Sequence, residues 1–149
     1  MADTFLIRWP SLDKQVTCRK IEHNHHIFDW WEDQLPIKAL QGHLMAAGWG
    51  LYFVSVPLNA PVNWEPRTET MEEICSQKDG RLTFFMGNGL SGGVVAKYGR
   101  VTEPMWYPTF CEVIEDDLPT LRDVGAVQWH SALASKQIII AEFTKGGAL

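Results

Sequence analysis

His43 stands in the stretch "ALQGHLMAAGWGLYFVSVP", Ala39 to Pro57, where nearly every neighbour is small, apolar or aromatic. Imidazole titrates near neutral pH and is the commonest general base of enzymes. The stretch reads as strand, turn, strand around Gly48, Trp49 and Gly50. A strand holds its side chains in fixed directions, as a working group requires. Two readings stay open here: a core histidine bonded to a neighbouring carbonyl, or the working group of a pocket. A second candidate group lies in "KYGRVTEP". The Tyr98 phenol can relay a proton or steady an oxyanion, and the Glu103 carboxylate can orient a histidine. Alone, that segment is a strand end with a turn.

Other chemistries find less. The run His23, Asn24, His25, His26 raises metal binding. Zinc takes ligands that converge, from one helix face or from separate segments. Adjacent His25 and His26 diverge at a helix start, and neither an HExxH motif nor a nearby Cys pair occurs. The expectation is therefore no metal. "GNGLSGG" lacks the GK[ST] ending of a phosphate loop and is followed by a strand, so it reads as a hairpin turn. No serine sits in a GxSxG elbow. Cys111 falls mid-strand and reads as a buried thiol.

The elements that must position these groups are short. "TFLIRWP" alternates, with Phe5, Ile7 and Trp9 on one face, and should pair with "KQVTCRKI" as an opening hairpin. In "NHHIFDWWEDQLP", Ile27, Trp31 and Leu35 recur every four residues with Phe28 beside them. Asp29, Glu32 and Asp33 cover the other side. This pattern predicts one amphipathic helix from near Asn24 to Leu35. The segment 58–80 reads as a long excursion with a helical turn near Met71–Cys75, and loops of that length are often functional. Strands are expected at "RLTFFMG", "VVAKYG" and "TFCEVI", with "RVTEPMWYP" a loop. "EDDLPTLRDVGAVQWHSALAS" predicts a second helix, capped by Asp116 or Asp117, in which Gly125 either interrupts the helix or lets it pack closely. "KQIIIAEF" is apolar on both faces and should be a buried, central strand. About eight short strands without βαβ alternation imply a mainly β, closed or nearly closed barrel, its openings covered by two helices.

The bulk numbers agree with a globular protein. The 149 residues fit one domain, 1–149, that holds together without disulfides. A net charge of −5 with no basic run excludes an electrostatic footprint for nucleic acid. No apolar run approaches the ~20 residues of a membrane span, and the N-terminus lacks the basic start of a signal peptide. Three scattered cysteines fit reduced thiols. The expected setting is cytoplasmic, and an apolar barrel with an acidic surface is compatible with a homodimer.

Taken together, "LPIKALQGHLMAAGWGLYFVSVP", "GRLTFFMGNGLSGGVVAKYGRVTEPM" and the ending "EDDLPTLRDVGAVQWHSAL…KQIIIAEF" resemble the cyclophilin-like domain of cucumopine synthase and related small cyclophilin-like proteins. The FHR-type triplet that carries the arginine of a prolyl isomerase is missing, which disfavours that activity. The resemblance implies a small barrel with a pocket and a cofactor-independent enzyme of cyclase, lyase or isomerase type. Its small-molecule substrate would react as in a Pictet–Spengler condensation, by acid–base catalysis and with no cofactor. His43 would take a proton, Tyr98 would donate one or hold an oxyanion, and Glu103 would orient one of them. Trp49, Phe85, Met86 and Trp106 would shape the apolar, substrate-binding pocket. The synthase carries a further helical region after this domain, and what that region contributes, including its substrates, is not carried over. The rival expectation is a non-catalytic barrel that binds a small molecule in the same pocket.

Overall fold

The computed structural model describes residues 3–56, 69–87 and 91–146. The expected opening hairpin forms first. Strand β1 (Thr4–Trp9) pairs antiparallel with β2 (Lys14–Lys20), and Phe5, Ile7, Trp9, Val16 and Cys18 are all fully buried on one face. Helix α1 (His25–Gln34) follows, with Ile27, Phe28 and Trp31 inward as their spacing predicts. Glu32, expected on the polar side, is buried too. Asn24 precedes the helix in a left-handed conformation (φ 54°). Its amide donates to the carbonyls of Thr70 and Thr109, both at 2.8 Å, and ties the helix start to the sheet.

The remaining strands are β3 (Ile37–His43), β4 (Gly48–Val56), β5 (Met71–Glu73), β6 (Arg81–Gly87), β7 (Ser91–Val101), β8 (Trp106–Val113) and, after helix α2 (Leu118–His130), β9 (Ile140–Lys145). Their order is β2-β1-β9-β3-β4-β7-β6-β8, and β8 pairs back to β2, so eight antiparallel strands close into the expected barrel. The closing seam matches Cys18–Lys20 with Cys111–Val113. Strand β8 is shared: its start pairs with β5 and its end with β2. Inside, Phe5, Phe53, Phe84, Phe110 and Phe143 belong to one buried cluster that also takes in α1 and α2.

The helices cover the two openings. α2 touches β2 on one side of the barrel and β3, β4 and β7 on the other, so it crosses one end. α1 lies at the opposite end. There the Trp31 ring stands 5.1 Å from Phe143, 5.9 Å from Phe110 and 6.5 Å from Phe5, while Trp30 meets Phe84 edge-on.

Several expectations need correction. Met71–Glu73 is a strand rather than a helical turn, because β8 offers it a ladder. For the same reason β8 begins at Trp106, inside what reads as a loop. β7 starts at Ser91 and takes up glycines expected in a turn. Asp117 does not cap α2 with its side chain; its carboxylate accepts the Thr17 N–H at 2.7 Å instead. β9 is central, between β1 and β3, yet its outward face is open: Ile140 is 39% exposed, and Ile138, just before the strand, is 73% exposed. Residues 58–68, about half of the expected excursion, lie outside the described residues.

Candidate active site

The barrel end under α2 is held by a buried relay. The Trp9 indole N–H donates to Gln41 Oε1 at 2.5 Å, and the Gln41 amide donates to Gln128 Oε1 at 3.0 Å. This chain joins β1 and β3 to α2. The helix can come close because of Gly125. A Cβ there would lie 2.4 Å from Cζ of the Tyr98 ring, so any side chain would push the helix or the phenol away. Of the two expected roles for Gly125, close packing is the one observed. A similar approach brings the start of β4 onto the end of β7. Gly48 has φ +129°, and a Cβ would meet the Arg100 carbonyl oxygen at 2.5 Å.

These contacts bring His43, the last residue of β3, to Tyr98 on β7. His43 Nε2 and Tyr98 Oη are 2.5 Å apart. The other ring nitrogen, Nδ1, accepts the backbone N–H of Met45 at 2.8 Å. Met45 reaches this position with φ 56°, in the left-handed region that a non-glycine residue seldom occupies. Burial sets the charge states. It lowers the pKa of the His43 imidazole below its ordinary value and raises that of the Tyr98 phenol to about 12. Both groups are therefore neutral near pH 7.

Two indoles enclose the pair. Trp129 of α2 lies 5.0 Å from the His43 ring and 5.1 Å from Trp49; Trp49 lies 6.0 Å from His43 and 6.1 Å from Tyr98. A cavity of about 440 Å³ adjoins them, lined by Met45, Ala46, Gly48, Trp49, Arg100, Thr102 and Trp129. The polar pair thus sits behind the indole wall of a cavity that also carries one guanidinium. Sequence reasoning missed Trp129. The available signal was its place four residues after Gly125, on the same helical face.

The other expected site residues are elsewhere. Glu103 is exposed, next to the lining residue Thr102, and among the described residues no hydrogen bond joins it to His43 or Tyr98. Trp106, 58% exposed, lines a different cavity with Glu72, Glu73 and Arg81. The side chains of Phe85 and Met86 lie outside the described residues. His25 and His26 diverge as expected, toward the Ile21 carbonyl and the Glu69 carboxylate respectively. The expectation that no ligand set converges needs one correction. His23, Glu22 and Glu72 place one ligand atom each within 4.8 Å of one another. Arg81 occupies the same corner, 3.4 Å from Glu22 and 3.9 Å from Glu72, and already supplies these carboxylates with positive charge.

The lowered imidazole pKa has a thermal signature. The unfolded chain takes up this proton at higher pH than the folded chain. The stability gained is complete above the ordinary histidine value of about 6.5 and is lost as pH falls through the lower folded value. Between about pH 7.5 and about pH 5 the wild-type Tm should therefore fall further than that of His43→Asn. Equal falls in the two proteins would show that His43 titrates normally.

No protein-family profile matches the chain, and no curated protein does. Among solved structures, the chain is similar to McbB in complex with tryptophan, at 25% identity and a TM-score of 0.83. The match covers 97% of this chain and 45% of McbB, so the chain spans less than half the length of that protein.

Proposed function

We propose that this chain is a cofactor-independent enzyme that joins a small amine to a carbonyl compound, with proton transfer at the His43–Tyr98 pair. The observation that carries the reading is that hydrogen bond, enclosed by Trp49 and Trp129 beside a cavity bearing Arg100. Two lines support it further: the resemblance to the cucumopine synthase domain and the structural likeness to a protein that binds tryptophan. The indoles suit a flat aromatic substrate, and Arg100 suits its carboxylate. The chemistry is of Pictet–Spengler type. Amine and carbonyl form an imine and release one water. An aromatic carbon then closes on the imine carbon and gives up its proton. Each step needs a proton donor and a proton acceptor, and none needs a redox cofactor.

One specific observation favours a second reading, a binding protein without turnover: both His43 ring nitrogens are engaged within the protein. One experiment separates the two. L-tryptophan is titrated calorimetrically into the protein, then incubated with it and an aldehyde or 2-oxo acid, and the products are weighed by mass spectrometry. A product at the summed mass less one water, formed faster than without protein, is expected. Binding without product supports the second reading. Neither binding nor product overturns both for this substrate class.

A further inference from the structure

We propose that Tyr98 presents the exchangeable proton to the ligand, and that His43 is a positioning residue whose tautomer is set by the backbone amide of Met45. The assignment of roles rests on the reading above; the tautomer stands on geometry alone. A ring nitrogen that accepts a hydrogen bond carries no proton, and a neutral imidazole has a single N–H. Nδ1 accepts from Met45, so the proton is on Nε2. Nε2–H therefore donates to Tyr98 Oη. The phenol then spends a lone pair, not its hydrogen, on His43, and its O–H is left to donate elsewhere. The three groups form a relay with one direction: Met45 N–H to Nδ1, Nε2–H to Oη, and Oη–H onward.

A histidine acting as the base would need an unoccupied nitrogen, and neither is free in this arrangement. The device is local. The donor lies two residues beyond the histidine, in the turn between β3 and β4, and it is aimed by a left-handed residue. Left-handed conformations at non-glycine residues persist only where the surroundings impose them, and they recur at functional sites. The shifts in pKa agree. Burial keeps the imidazole neutral and the phenol protonated, as the relay requires. A developing negative charge on a ligand oxygen would be met by the phenol O–H, and His43 Nε2–H would in turn support the phenol oxygen.

Two measurements test this on the full chain. The first is long-range proton–nitrogen correlation on protein labelled with nitrogen-15 at histidine, near neutral pH, with His43 assigned from the signal missing in His43→Gln. The expected pattern is a protonated Nε2, a bare Nδ1 and an Nε2 proton displaced downfield by the short hydrogen bond. In Tyr98→Phe the tautomer should persist while that proton returns upfield. An Nδ1–H tautomer or an imidazolium in the wild type overturns the proposal. So does a tautomer that changes in Tyr98→Phe, since Tyr98 rather than Met45 would then set it. The second compares turnover of L-tryptophan with a carbonyl compound in His43→Gln and His43→Leu. Glutamine keeps an N–H donor but has no basic nitrogen. It should stay within about tenfold of the wild type, whereas leucine should lose far more. A His43→Gln enzyme as inactive as His43→Leu would make His43 the base and overturn the role assigned here. If the wild type turns nothing over, the proposed function fails for these substrates, and the spectroscopic arm still decides the tautomer.

Discussion

Trp31→Ala should destabilise the fold by about 3–5 kcal/mol, the usual cost of emptying a large buried aromatic site. Trp31 is 1% exposed, and its ring meets Phe5, Phe110, Phe143 and Trp30. It is the residue through which α1 fills its end of the barrel. Its partners belong to β1, β8, β9 and α1 itself, so relaxation into the hole would have to move several elements at once. The loss should appear in urea titration as a lower midpoint at unchanged slope. Trp31→Phe sharpens the test. The indole N–H is buried without a hydrogen-bond partner among the described residues, so removing it forfeits no bond. Phenylalanine should therefore cost clearly less than alanine. If the two variants lose equal stability, ring packing at this position is not what holds the helix in place.

Tyr98→Phe should lower turnover about 100- to 1,000-fold, the typical worth of one donor aimed at developing charge. The change deletes one oxygen and keeps the ring. Packing against Gly125 and Trp49 is therefore retained. His43 loses its acceptor, but its imidazole is only half buried, so water can take the freed N–H at a cost of about 1 kcal/mol or less. Activity and stability should thus separate, with turnover collapsing while Tm barely moves. Unchanged turnover in a folded Tyr98→Phe protein would remove the phenol from the mechanism.

The barrel was legible where the pattern is local. Phe5, Ile7 and Trp9 alternate, Ile27 and Trp31 recur at helical spacing, and both patterns mark the buried face correctly. β5 was not legible, because "MEE" has no strand signal of its own and becomes a strand only by meeting β8, more than thirty residues later. "QIIIAEF" misled for the complementary reason. Its apolar run is real, but nothing in the described chain covers the outer side of Ile138 and Ile140. The site divides in the same way. His43 and Tyr98 were singled out from their residue types, and the fold joins them. The neighbours of the pair were harder, since tryptophans look alike in sequence. Trp49 stands beside His43, Trp106 faces another cavity, and Trp129 closes over the pair. Only the path of α2 across the barrel end separates them, and that path depends on contacts between residues far apart in the chain.

The sharing of β8 between β5 and β2 has a consequence for how copies of this chain could meet. A sheet edge with unpaired N–H and C=O groups is a template on which another chain can add a strand. Here every barrel strand has a neighbour on both flanks, and the extra length of β8 beyond the closing seam is taken by β5. Among the described strands the open flank belongs to β5, three residues long and carrying Glu72 and Glu73. Short, acidic edges are poor templates. Among the described strands self-association by strand addition is thereby disfavoured, and Leu40, Ile138 and Ile140, which line one cavity together, are among the exposed apolar side chains that a homodimer would bury.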